Sequence, residues 1–415
     1  MRPLRILIVA ENASERLGGE AILPCHYFRL LRARGMDAHL IVHERTRQEL
    51  DSLFPAELER LHFVSDLLLQ KFFYRLGRLL PPRIDEATLG MANQFLTQLR
   101  QRGIVRRLTT SRCVVHQPIP VSPRTPSLLY GLGAPVVIGP LNGGMEYPAA
   151  FRRSESPISR IIVHLARSSS NILNALFPGK RQASVVLVAN ERTRAALPDG
   201  IRGRVILLPE NAVDTQRWSS GDAPSTGRQG RFLFIGRLVD WKALDIAIEA
   251  IGKTPGATLD VIGDGPMLAH WRGLAERIGM SERVRFLGWR SQEQCAEHLR
   301  GCCALLLPSL YECGGAVVLE AMAMGRPVVA TAWGGPLDYL DTDCGVLVEP
   351  SSRAALIDGF SAAMVRLQSC PNLAQRMGAD GRQKLFKEFD WNKKIDAMLA
   401  IYESTLRAGL RGHDP

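Results

Sequence analysis

Ala304-Leu305-Leu306-Leu307-Pro308-Ser309-Leu310-Tyr311-Glu312-Cys313-Gly314-Gly315-Ala316-Val317-Val318-Leu319-Glu320 reads as a buried strand, a loop, a glycine pair and the opening of a helix. Four apolar residues in a row without alternation suit a strand covered on both faces, as in a parallel sheet. Gly314 and Gly315 let the backbone approach a ligand, and a helix opening at Ala316 presents unpaired N–H groups that favour an anion. Glu312 lies in the loop after the strand, and Glu320 falls about one turn into the helix. Two carboxylates in that setting suit hydroxyl recognition, since each accepts hydrogen bonds from a sugar or ribose diol. The competing reading makes Glu312 a helix cap and Glu320 half of a surface salt bridge.

The same strand–helix rhythm extends on both sides. Strands are expected at Phe232 to Ile235, Leu259 to Ile262, Val284 to Leu287 and Val328 to Ala330, with amphipathic helices between them. Nearer the N-terminus, Arg5 to Val9 reads as a strand, Glu11 to Gly19 as a loop, Ala21 to Ala33 as a helix stopped by Gly35, and Ala38 to Val42 as a strand. Further strands are suggested at Val114-Val115, Val136 to Ile138, Val185 to Val188 and Val205 to Leu208, while residues 45–112 are expected to be helical. The polar run Trp218 to Gly230 is the best linker. A chain of 415 residues exceeds what one core usually supports. The fold class is therefore α/β, in two domains, 1–215 and 216–390.

Ligands of such sheets bind beyond the C-terminal ends of the strands. There, Gly236 and Arg237 open a loop that closes with Lys242, placing two cations after one strand. Cations at this place stabilise a diphosphate leaving group as its bond breaks. Gly263-Asp264-Gly265-Pro266 follows the next strand, but a tight turn of this kind also occurs for folding reasons. Gly18 and Gly19 in the first loop can contact phosphate through N–H groups or simply make a turn. His116, after the apolar pair Val114-Val115, is read as structural or as ligand-facing.

The net charge of +11 is unevenly spread: residues 1–215 hold 29 Lys and Arg against 18 Asp and Glu, and residues 216–415 balance. An acidic partner for the first half follows, an anionic membrane surface or a phosphorylated acceptor, against the alternative of a merely solvated basic face. No recognised nucleic-acid module is visible, so nucleic acid is not expected as a partner. The eight cysteines are scattered, with no zinc spacing, which implies a reduced, cytoplasmic setting. No apolar run reaches membrane-spanning length. Residues 157–181 mix Ile, Leu and Phe with Arg, Lys and His and could form an interfacial helix or an ordinary surface helix.

Taken together, these residues resemble the retaining glycosyltransferases of family 4, which have the GT-B fold of two Rossmann-like domains facing across a cleft. Glu312 and Glu320 look like that family's E-x7-E motif, Arg237 and Lys242 its diphosphate-binding pair, Gly263-Asp264-Gly265-Pro266 its turn, and Arg285-Phe286-Leu287-Gly288 its segment beside the nucleobase. Gly18-Gly19, His116 and Pro209-Glu210-Asn211-Ala212-Val213-Asp214 match more loosely. Two departures stand out: Gly314 replaces a large aromatic residue, and Ala243 replaces a glycine after the Lys.

The resemblance implies a transferase moving a hexose from a UDP- or GDP-sugar to a lipid-linked or polysaccharide acceptor in cell-surface polysaccharide synthesis, at the inner face of the cell membrane. Glu312 would hold hexose hydroxyls and Glu320 the ribose. Arg237 and Lys242 would neutralise the diphosphate in place of a metal, and His116 would touch the donor sugar. Gly18, Gly19, Gly236, Gly263, Asp264, Leu287, Gly314, Gly315 and Ala316 would line the donor. It also implies that the last helix, about Trp391 to Leu406, returns to the first domain. The alternatives are a nucleotide-sugar-binding scaffold without catalysis and, with less support, a UDP-sugar 2-epimerase.

Overall fold

The computed structural model describes residues 4–17, 19–77, 86–154, 170–215, 218 and 229–411. Gly18, residues 157–169 and most of the 218–230 linker lie outside the described residues. The chain packs into two units. One comprises Met1–Gly144, Ser156–Glu210 and Ile395–Pro415, and the other Met145–Glu155 and Asn211–Lys394. The boundary at Glu210/Asn211 precedes the 215/216 position read from the sequence, and an eleven-residue excursion, Met145–Glu155, belongs to the second unit. Nothing in the local sequence separates that excursion from its flanks, because its membership is set by what it packs against.

The first unit is a seven-stranded sheet: β1 (Arg5–Val9), β2 (Asp37–His43), β3 (Leu61–Val64), β4 (Cys113–Gln117), β5 (Val136–Leu141), β6 (Val185–Val188) and β7 (Arg204–Leu207). Its order is β3-β2-β1-β4-β5-β6-β7, with every pairing parallel. Ile6, Leu7 and Ile8 of the central strand are fully buried, as a strand covered on both faces requires. β3 lies inside the stretch expected to be helical. Its four residues, Leu-His-Phe-Val, form no unbroken apolar run because His62 interrupts them, and the helices Arg47–Leu53, Leu68–Gly77 and Met91–Leu108 around it set the impression of the whole stretch.

In the second unit, β8 (Arg231–Ile235), β9 (Thr258–Ile262), β10 (Val284–Gly288), β11 (Ala304–Leu307), β12 (Val328–Thr331) and β13 (Gly345–Val348) form a six-stranded parallel sheet. Its order is β10-β9-β8-β11-β12-β13, the doubly wound arrangement in which strand order reverses at β8/β11. The short edge strand β13 was not anticipated. Helices Arg353–Ser369 and Pro371–Glu388 complete the unit, and Trp391–Arg411 carries the chain back to the first one.

One buried charge ties three adjacent strands together. Asp260 in β9 is fully buried and accepts hydrogen bonds from Arg231 Nε at 2.8 Å and Arg285 Nε at 2.8 Å, with a second nitrogen of each guanidinium at 2.6 Å. A buried carboxylate is tolerable only when so matched, and breaking such a set leaves unpaired charge. Asp260→Ala should therefore lower unfolding free energy by about 2 to 3 kcal/mol, less than a wholly buried triad because Arg285 keeps access to water. Urea unfolding of both proteins checks this; a loss under about 0.5 kcal/mol would show that the network contributes nothing.

Candidate functional site

A doubly wound sheet leaves a crevice where its strand order reverses, because the loops from the two strands at that point run to opposite faces. In the second unit those loops leave β8 and β11, and they carry Gly236 to Ala243 and Pro308 to Gly315. The backbone joins them, Leu310 N donating to Trp241 O at 2.9 Å. The side chains join them too: Lys242 Nζ donates to Glu312 Oε2 in an ion pair that is largely buried on both sides. Lys242 passes over Gly236, where an added Cβ would lie 3.8 Å from its Cε. Arg237 is exposed and makes no hydrogen bond or ion pair among the described residues.

Helix Ala316–Ala323 starts from Gly315, which holds φ 69° and supplies no side-chain cap. Glu312 is therefore not the cap; its carboxylate goes to Lys242. Of the first-turn amides Val318 N donates to Gly315 O at 2.9 Å, and those of Ala316 and Val317 keep their capacity for an anion. Glu320 forms no salt bridge among the described residues. Part of its surface stays exposed, yet protein crowds the carboxyl closely enough that desolvation pushes its pKa up to about 7. A partly desolvated carboxyl with no salt bridge among the described residues suits a ligand's hydroxyl donors.

The Gly263-Asp264-Gly265 turn acts as a brace. A Cβ on Gly263 would lie 1.9 Å from Gly236 O, and one on Gly265 2.4 Å from Leu238 O. Leu238 N donates to Asp264 O at 2.9 Å, and the Asp264 carboxylate accepts from Gly265 N at 2.7 Å. These glycines hold the Arg237 loop at a spacing no side chain permits. Leu287 is half-buried and packs against the core cluster that includes Leu233, Leu305 and Leu307 of β8 and β11. Gly314 and Ala316 lie in the loop and at the helix start, and a Cβ on Gly335 would lie 2.5 Å from Gly314 O.

The excursion Met145–Glu155 takes a part in this site that no local sequence pattern announces. Phe151 is buried in the second unit's core, and the Tyr147 ring packs on that core and on the Tyr311 ring, centroids 5.4 Å apart. Trp333 Nε1 donates to Glu146 O at 2.7 Å. Gly334, at φ 71°, is wedged so that a Cβ would lie 2.4 Å from Glu312 O and 2.6 Å from Met145 Sδ. Gly335 N donates to Glu312 O at 2.7 Å. The backbone of Glu312 is thus held from one side by residues 334–335 and its neighbour Tyr311 by Tyr147. The signal for this lay in tertiary packing alone.

In the first unit the order reverses at β1/β4, and His116 lies in β4. The structure places His116 in the interior, fully buried, with Nε2 2.7 Å from Gly139 O and Nδ1 2.8 Å from Tyr402 Oη. Tyr27 meets its ring edge-on at 4.7 Å. Both nitrogens are committed, so the side chain presents nothing to a ligand here; it joins β4 to the C-terminal helix. Gly19 is exposed at φ 56° and opens a short helical turn, with open space where a Cβ would go. Beside it are two carboxyls the sequence reading passed over, Glu11 and Glu20, both raised in pKa by burial. Glu20 Oε2 accepts from Val121 N at 2.9 Å. Among the described residues, no three His, Cys, Asp or Glu side chains gather as a metal site.

Comparison with known proteins follows the same division. Residues 220–384 match the model of the family described as glycosyl transferases group 1. The lipopolysaccharide core biosynthesis glycosyltransferase LpsE of Rhizobium meliloti is 31% identical over 203 residues, 49% of this chain and 55% of that one. The chain thus spans about half the length of the curated relatives it matches. HepE of Anabaena, solved in complex with UDP, superposes with a TM-score of 0.67 at 15% identity over 97% of this chain and 100% of that one. WaaG, a glycosyltransferase involved in lipopolysaccharide biosynthesis, gives 0.63 at 15% identity over 94% and 98%. The fold is the GT-B fold.

Two outcomes test this geometry. Ala243, which follows Lys242, is the one non-glycine residue at positive φ among the described residues, at 47°. Ala243→Gly should raise stability by about 0.5 to 1 kcal/mol, measured by urea unfolding, because an L side chain is strained there; a loss would mean the strain is absent. Glu320 binds its proton more tightly folded than unfolded, so it contributes stability at low pH that is lost as pH rises from about 4.5 to about 7. Glu320→Gln should flatten that slope, and an unchanged slope would show that its carboxyl is not desolvated.

Proposed function

We propose, from residues 220–384 as a domain of the glycosyl transferases group 1 family, that the chain is a retaining glycosyltransferase. It moves a hexose from a UDP- or GDP-sugar to a lipid-linked or polysaccharide acceptor. The observation that carries this reading is the Lys242–Glu312 ion pair at the strand-order reversal, with the exposed Arg237 on the same loop and the uncapped helix Ala316–Ala323 following. Fixed cations and amides there match a pyrophosphate, and carboxylates beside them match diols.

In this reading Arg237, Lys242 and the amides after Gly315 hold the diphosphate. As the bond from the anomeric carbon to the phosphate oxygen lengthens, charge builds on that oxygen. Cations already in place stabilise this state more than the bound donor. The acceptor hydroxyl attacks from the face the phosphate leaves, so configuration is kept, and a phosphate oxygen takes the hydroxyl proton. Glu312 accepts from hexose hydroxyls while anchoring Lys242. Glu320 accepts from the ribose, which favours its ionised form. The two cations supply the charge compensation, so no metal is required. LpsE and WaaG, named for lipopolysaccharide synthesis, support a surface-glycan acceptor, and HepE's complex with UDP supports a uridine donor.

Lys242→Ala should lower kcat by about a thousandfold in protein that still unfolds cooperatively in urea, at a lower midpoint because Glu312 loses its buried partner. Near-normal transfer or donor hydrolysis by that variant would remove Lys242 from the mechanism. Tyr147→Ala should raise KM for the donor by about tenfold while Tyr147→Phe restores it, because ring packing and not the hydroxyl steadies the Glu312 loop. Equal KM in Tyr147→Ala and the parent protein would confine the excursion to a structural part.

A further inference from the structure

Two helical segments of the first unit turn polar residues inward and apolar residues outward. In Leu68–Gly77 the polar Gln70 turns inward, its Nε2 donating to Thr97 Oγ1 at 3.0 Å and to Asn93 O at 3.3 Å. Leu68, Phe72 and Leu76, spaced four apart on one face, point to water, with Leu68 87% and Phe72 58% exposed. Residues 170–176 repeat the pattern: Ser170 and Asn174 are buried and donate to Arg124 O at 2.9 and 2.8 Å, whereas Ile172 and Leu176 are 64% and 65% exposed. Between them, Met91–Leu108 packs Val105 into the core but, nearer its start, buries Thr97, Gln98 and Gln101 and exposes Leu99. The three helices adjoin, through the Gln70 hydrogen bonds and through the Phe95 and Phe177 rings at 4.8 Å.

A surface helix ordinarily turns its apolar stripe to the core. The reverse leaves apolar area in water at roughly 25 cal/mol per Å2 and marks a surface made for something else. Charge identifies what. Residues 67–112 carry nine Lys and Arg against two Asp and Glu, a net +7 out of the chain's +11. Arg75, Arg100, Arg106 and Arg107 on these helices are exposed. No helix among the described residues is long and apolar enough to cross a membrane. Apolar side chains beside exposed guanidinium groups suit the boundary of an anionic bilayer, with Leu and Phe at acyl level and Arg at the phosphates.

We propose that the outward faces of Leu68–Gly77 and residues 170–176 are a docking surface for an anionic membrane. This goes beyond the donor chemistry and is read without turnover, so either can fail alone. The full chain should sediment with vesicles of equal parts phosphatidylglycerol and phosphatidylcholine, bind phosphatidylcholine vesicles weakly, and release from the anionic ones as salt rises. The double variant Leu68→Glu, Phe72→Glu, at exposed positions that leave the urea midpoint unchanged, should lose vesicle affinity by at least about tenfold. Ile172→Glu should weaken it independently. Equal binding by the double variant, or a parent protein that stays with the supernatant, would overturn the proposal. So would a parent dimer that the double variant converts to monomer, which would assign the face to a second copy of the chain.

Discussion

The ion pair between Lys242 and Glu312 is the contact on which the account of this molecule rests. It joins the loops leaving β8 and β11, the two strands between which the order of the second sheet reverses. A doubly wound sheet supplies the crevice whatever its sequence; what makes the crevice chemical is the charge placed on its two lips. Here one lip contributes an ammonium and an exposed guanidinium, and the other a carboxylate and a helix mouth. The low exposure of the pair strengthens its field, because little water remains to screen it.

The surroundings serve that arrangement. The Gly263–Gly265 turn presses against the backbone of the Arg237 loop, and Gly334 presses against the carbonyl oxygen of Glu312. Both contacts close to distances that exclude a Cβ, so each loop is fixed by backbone on backbone, the stiffest kind of support. Ala243, held in the left-handed region directly after Lys242, is a local strain of the sort that persists where the surroundings over-determine a conformation.

Much of this was legible from sequence because its signals are local. The run Ala304 to Glu320 carries strand, loop, glycine pair and helix within one stretch, and the structure reproduces each element. Lys242 and Arg237 were legible for the same reason, as residues at the end of an apolar strand. The strands β3 and β13 were not, since neither shows the unbroken run of four apolar residues that marks β6 and β11: His62 interrupts β3 and Gly345 opens β13. His116 shows a different limit: its place in β4 follows from sequence, but its burial depends on Tyr402, 286 residues away. The excursion Met145–Glu155 and the carboxyls Glu11 and Glu20 were equally hidden, being defined by partners far along the chain. The outward apolar faces were hidden for the opposite reason, because a periodic stripe names a face without naming its direction.

The central claim, that these cations and the helix mouth grip a pyrophosphate, is tested most directly by calorimetric titration of UDP and of uridine into the parent protein and into Arg237→Ala. UDP should bind the parent more tightly than uridine by about a hundredfold, and Arg237→Ala should remove about tenfold of that gap while leaving uridine unchanged. Equal affinities for UDP and uridine in the parent, or a gap untouched by Arg237→Ala, would contradict it.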